Sequence, residues 1–250
     1  MNKVSNPNWL HHTFAMIIGI FYCTIASAQP ITHLSARIAS QSQIEDLTNS
    51  TLGAAPSAAA RPMISLAISL LKDFEGWVAT AYDDPAGYCT IGYGHLIALK
   101  RCSELTLGTF SKALSEDEGE ILLELDTRTA RLSVQQLLSV ELTDNQFGAL
   151  SSFVFNIGKH NFARSTMLAL INAKEFAAAA AEFRRWIKSN GQVFGGLVDR
   201  RSCEAGLFLG QLTLDTKGRF ARQQCKSLGA APTDGSLVDI RQGENSGERK

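Results

Sequence analysis

The sequence predicts an α+β fold in which a small β-hairpin lobe precedes a mainly α-helical lobe. Residues 78 to 99 are aromatic, β-branched and glycine-rich, the composition of a short antiparallel hairpin or meander. Downstream, Ser115 with Glu118 and Thr143 with Gln146 each form a capping box ahead of an apolar run of helical period. The chain has 250 residues, 45% hydrophobic and 19% charged, enough for one generous domain or two small ones.

Residues 1 to 28 read as a secretory signal: Lys3 and two histidines precede an apolar run from about Phe14 to Ile25, and Ala26-Ser27-Ala28 offers small residues for cleavage before Gln29. The run is short for a membrane span, so cleavage is expected, with retention as an anchor the alternative. Residues 29 to 62 hold Pro30, scattered serines and the stretch Ala54-Ala55-Pro56-Ser57, and read as a flexible linker.

Pro62 opens a helix carrying Ile64, Leu66, Ile68, Leu70, Leu71 and Phe74, with Gly76 able to end it. Glu75 thereby falls at the C-terminal end of a buried helix. The helix dipole and apolar neighbours both disfavour negative charge there, the setting a general acid needs. In the hairpin beyond it, Asp84-Pro85-Ala86-Gly87 is a turn signal and Thr90 lies on the returning strand. The first capping box starts a helix running to about Leu138, and the second a helix that stops at Gly158. Further helices are predicted over Ser165 to Asn172, Lys174 to Ile187 and Leu197 to Leu209, ending at Gly210. The domain therefore spans residues 63 to 210. A C-terminal extension, 211 to 250, begins as an irregular return and is expected to be largely disordered from about Gly229.

Lys+Arg and Asp+Glu both total 24, so overall charge gives no support to a nucleic-acid partner. Of five cysteines, Cys23 lies in the signal. The remaining four fit two disulfides in an exported protein, with three possible connectivities. The favoured pairing joins Cys89 to Cys102 and Cys203 to Cys225, with free buried thiols as the alternative. No CxxC pair occurs, so a zinc site has little support and no metal is expected.

Glu75, Asp84 and Thr90 are spaced nine and six positions apart. A protonated glutamic acid can protonate a glycosidic oxygen while a second carboxylate, across a gap wide enough for one water, helps that water attack the other face of the sugar. Each residue also has a plainer reading. Glu75 can sit in a surface salt bridge, Asp84 can cap its own turn, and Thr90 can serve β-propensity alone.

The stretch Phe74-Glu75-Gly76-Trp77 through Tyr88-Cys89-Thr90-Ile91-Gly92-Tyr93-Gly94-His95-Leu96 resembles the phage T4-type lysozymes, glycoside hydrolase family 24. So do Phe155-Asn156-Ile157-Gly158, Leu168 to Phe183, and Gly196-Leu197-Val198-Asp199-Arg200-Arg201. The resemblance implies a lysozyme-like fold with an active-site cleft between the two lobes. It implies Glu75 as the acid, with Asp84 and Thr90 acting on the attacking water. Arg200 would hold the acid glutamate, or Arg201 if the register is shifted by one. Tyr93, Gly94, Leu96, Phe155 and Asn156 would line the substrate site, core packing being the other reading for Phe155, and His95 would make a structural ion pair.

The same resemblance implies an exported lysozyme (EC 3.2.1.17), a muramidase cutting the β-1,4 bond between N-acetylmuramic acid and N-acetylglucosamine with inversion. It would act on peptidoglycan glycan strands as a secreted monomer, periplasmic or extracellular, without cofactor, nucleic acid or stable membrane anchor. The alternatives are a hydrolase of chitin or chitosan and a catalytically dead cell-wall-binding module.

Overall fold

The computed structural model describes residues 59–226 and 237–244. The signal segment and nearly all of the linker lie outside the described residues.

Helix α1 (Ser65–Glu75) buries Ala67, Leu70 and Leu71, one face at helical spacing, and ends where Gly76 turns to φ 74° and donates its N–H to the Lys72 carbonyl. The chain then forms a three-stranded antiparallel sheet, β1 (Val78–Asp83), β2 (Cys89–Gly92) and β3 (His95–Ala98), in that spatial order. Tyr82, Thr90 and Leu96 stand opposite one another across its three strands. A disulfide from Cys89 to Cys102 ties the start of β2 to a 3₁₀ turn over Cys102–Glu104.

Helix α2 (Glu116–Leu137) joins the sheet to the helical lobe and begins with the predicted capping box. Its Gly119 lets Trp77 lie against the helix, because a Cβ there would sit 2.2 Å from the indole. Helix α3 (Asp144–Ile157), also started by its predicted box, is almost wholly buried and forms the centre of the helical lobe. At Gly148 an added Cβ would lie 2.5 Å from that of Ala67, so this glycine sets the close approach of α1 and α3. Around α3 lie α4 (Lys159–Ala163), α5 (Thr166–Asn172), α6 (Phe176–Glu182) and α7 (Gly195–Phe208). Phe153 of α3 meets Phe162, Phe183 and Trp186 edge-on, and all four are fully buried. A second disulfide, Cys203 to Cys225, fastens α7 to the short α8 (Gln223–Lys226). Both bridges match the favoured pairing.

The structure departs from the predicted elements in several places. The helix expected over 174 to 187 is shorter: Lys174 has φ 63°, and α6 begins only at Phe176. After Glu182 the chain tightens into a 3₁₀ turn (Phe183–Arg185), and the Trp186 carbonyl accepts a bond from Arg201 instead of closing a helical turn. A two-stranded ribbon, β4 (Lys188–Ser189) and β5 (Gln192–Val193), comes next and was not predicted, nor was α4.

A further departure concerns residues 237–244, which lie in the extension expected to be largely disordered from about Gly229. They are folded against the helical lobe instead. Asp239 bridges to Lys188 in parallel, Ile240 N–H donates to the Lys188 carbonyl, and Asp239 Oδ2 accepts from the Gly191 N–H at 2.6 Å. Glu244 accepts from the Thr166 N–H and hydroxyl at 2.9 and 2.6 Å and faces Arg185. Because Glu244 is the buried acceptor for these donors, Glu244→Ala is expected to cost about 1–3 kcal/mol. At roughly 2–4 °C per kcal/mol, thermal unfolding followed by circular dichroism should show it. An unchanged Tm would mean that the strap adds nothing to stability.

Candidate active site

Glu75 is the last residue of α1, and its side chain is 12% exposed. Arg200, on α7 and 125 positions away in sequence, donates from Nη1 to Glu75 Oε1 at 2.6 Å. Glu75 Oε2 has no protein partner among the described residues. The other donors of Arg200 are also placed, Nε on Glu204 Oε1 at 3.1 Å and Nη2 on the Ser152 carbonyl at 3.3 Å. Arg201 donates to the Trp186 carbonyl, to Glu204 Oε2 and to Asn156 Oδ1, with its guanidinium over the Phe153 ring. Two glutamates and two arginines thus form a charge-balanced, largely buried group. Burial works against the charge on Arg200, but Glu75 and Glu204 more than offset it and hold its pKa above the ordinary value. For Arg201 burial prevails over the attraction of Glu204 and lowers the pKa. Both guanidiniums remain charged at any physiological pH.

The second carboxylate lies in the turn between β1 and β2. Asp84 Oδ1 accepts from the backbone N–H groups of Ala86 and Tyr88, each at 2.8 Å, so Asp84 does cap its own turn. That role uses one oxygen, and Oδ2 is left without a protein partner among the described residues. The plain reading and the chemical one are therefore compatible. Thr90, buried on β2, donates its hydroxyl to the Tyr88 carbonyl at 3.1 Å, which leaves its oxygen able to accept.

Tyr82 joins these residues although the sequence did not single it out. It is the cross-strand partner of Thr90. Burial, then the charges of Asp84 and Glu75, push its pKa up, so both carboxylates act on the same phenol. The available signal was the two-residue period of β1, which puts Tyr82 on the same face as Thr90 once the strands are in register. Glu204 was also missed. Its spacing from Arg200 (i+4) and Arg201 (i+3) was the clue.

Among the expected substrate-lining residues, Leu96 is half-buried beside Thr90, Gly94 is exposed at φ 85° in the β2–β3 turn, and Asn156 is half-buried near the end of α3. Tyr93 and Phe155 are nearly buried, at 5% and 8% exposure, and both pack into the core. Tyr93 packs on Trp77 with Lys72 over its ring, and its hydroxyl goes to Glu116. His95 makes the expected structural pair, its Nδ1 lying 3.0 Å from the Asp126 carboxylate and linking β3 to α2. Among the described residues no group of three or more His, Cys, Asp and Glu side chains is arranged to hold a metal ion, and no helix is long and apolar enough to cross a membrane.

A helix that ends in a carboxylate, a small sheet with a second carboxylate in its turn, and a helical lobe supplying an arginine define a lysozyme-like fold. The Phage lysozyme family profile matches residues 72–204. An endolysin of Bacillus phage B103 is 41% identical over 145 residues, covering 57% of this chain and 52% of that protein. An endolysin of Salmonella phage P22 is 39% identical over 142 residues, covering 57% of this chain and 94% of that one. Among solved structures, the muramidase domain of SpmX from Asticaccaulis excentricus matches with TM-score 0.52 and 32% identity, covering 60% of this chain and 98% of the domain. The chain belongs to the phage lysozyme family, although it spans only about half the length of the Bacillus phage relative.

Proposed function

We propose that the protein is an exported muramidase that hydrolyses the β-1,4 bond between N-acetylmuramic acid and N-acetylglucosamine in peptidoglycan, with inversion at the anomeric carbon. The observation that carries this reading is that Glu75 and Asp84 each have one carboxylate oxygen held by the protein and one oxygen uncommitted. Glu75, its Oε1 held by Arg200, gives a proton from Oε2 to the glycosidic oxygen as the bond to the anomeric carbon breaks. A water on the opposite face attacks that carbon and passes its proton to Asp84 Oδ2, while the Thr90 oxygen accepts the water's second hydrogen and orients it. Tyr82, the cross-strand partner of Thr90, forms part of the wall against which the sugar lies.

Family membership supports the reaction class, and the relatives named as endolysins and as a muramidase domain support the polymer. The signal-like segment supports export to where that polymer lies. The protein acts as a monomer on glycan strands, without metal, cofactor or lasting membrane anchor.

Digesting purified peptidoglycan and identifying the new ends tests this. The expected products carry reducing muramic-acid ends, and the first-formed anomer seen by NMR is α. Anhydro-muramic ends would rule out hydrolysis, and a β anomer would show retention and remove Asp84 from its role on the water.

A further inference from the structure

Glu204 is a fully buried carboxylate that takes no direct part in the chemistry at Glu75 and Asp84. Oε1 accepts from the Ser152 hydroxyl at 2.6 Å and from Arg200 Nε at 3.1 Å, and Oε2 accepts from Arg201 Nη1. From this acceptor two branches run outward. The Arg200 branch ends on Glu75, and the Arg201 branch ends on Asn156. These are the two places where the network reaches partly exposed side chains. Folding alone does not call for such a group, because apolar side chains of similar size would avoid the desolvation of three buried charges.

The second branch has a chemical consequence. A guanidinium carries donors only, so Arg201 requires an acceptor from Asn156. That fixes the amide with Oδ1 turned inward and leaves Nδ2, a donor, as its outward group. With Asn156 lining the substrate site, on which this half of the inference rests, a donor held in one orientation suits a carbonyl oxygen, such as that of an acetamido substituent.

We propose that Glu204 is a positioning residue for both ends of the site. Through Arg200 it decides which oxygen of Glu75 faces the glycosidic bond, and through Arg201 it holds the donor face of Asn156 toward an N-acetyl carbonyl of the sugar. The first half rests on Glu75 being the acid.

The test uses the full chain after removal of residues 1 to 28, purified peptidoglycan, and kcat, KM and Tm as separate readouts. Replacing the pair together, Arg201→Met with Glu204→Leu, substitutes apolar volume for a buried ion pair and is expected to keep Tm near that of the wild type. Activity is expected to fall regardless, kcat by about 100-fold as the acid loses its fixed geometry. KM is expected to rise by up to about tenfold as one directed hydrogen bond is lost. Asn156→Asp, which keeps an acceptor for Arg201 but turns the outward donor into an acceptor, should raise KM similarly and add nothing further in the double-variant background. Wild-type kcat and KM in a folded double variant overturn the proposal. Should that variant not fold, Ser152→Ala removes one donor from Glu204 without changing charge, and kcat must then fall by up to about tenfold, an unchanged value again overturning the assignment. Retained turnover in Glu75→Gln would overturn the acid role and the Arg200 branch with it, whereas the KM of Asn156→Asp decides the Arg201 branch alone.

Discussion

Glu75→Gln is expected to lower kcat on peptidoglycan by about 10²–10⁴-fold while leaving Tm close to that of the wild type. The two halves of this expectation come from different atoms. Glutamine keeps an oxygen at the Oε1 position, so Arg200 Nη1 retains an acceptor at the distance now seen with the carboxylate, 2.6 Å. The bond weakens because it is no longer charge-assisted, but no buried donor is left empty. At the other position the acid O–H becomes an amide, which cannot transfer a proton to the glycosidic oxygen. Reducing-end release, measured beside thermal unfolding of the same preparation, separates loss of chemistry from loss of fold. Activity within tenfold of the wild type would remove Glu75 from the acid role whatever its geometry.

Much of this site was legible in sequence because its signals are local. Helical spacing ahead of Gly76 placed Glu75 at the end of α1, and the Asp84-Pro85-Ala86-Gly87 signal placed Asp84 in a turn. Arg200 could be named only by resemblance, since no local rule links residues 125 positions apart. Tyr93 and Phe155 show the opposite limit: one lies in the β2–β3 turn and the other on α3, both buried, and periodicity does not say which buried side chain also borders a cleft. The alanine-rich run after Lys174 read as one helix. Its end was decided from outside, by burial of Trp186 and capture of its carbonyl by Arg201. Residues 237–244 are too few to show a period, and their order comes from burial of Val238 in the core and from Gly191, Thr166 and Lys188, partners at least 48 positions away. Glu204 had the right spacing to be noticed, yet a charged residue in a helix reads as solvent-facing until tertiary structure buries it.

Arg200→Met should have the largest effect on stability, about 3–5 kcal/mol. At roughly 2–4 °C per kcal/mol this is a Tm drop of about 6–20 °C. One substitution leaves two carboxylates short of a partner, Glu75 at 12% side-chain exposure and Glu204 at 0%. Arg201 still faces Glu204 Oε2, but it is already committed to Trp186 and Asn156 and cannot reach both oxygens in the geometry observed. Arg200→Lys should rescue little, because one ammonium cannot reproduce a planar fork that meets Glu75, Glu204 and the Ser152 carbonyl together. The sign of the pH dependence distinguishes an electrostatic cause from a simple packing defect. In the variant the folded state holds carboxylates whose charged form is disfavoured, so it takes up protons more readily than the unfolded chain, and the deficit shrinks as pH falls and widens as pH rises. A cavity left by a missing side chain would cost the same at every pH. Thermal melts of the wild type and Arg200→Met at neutral and mildly acidic pH make the comparison, and a pH-independent difference would sink the electrostatic explanation.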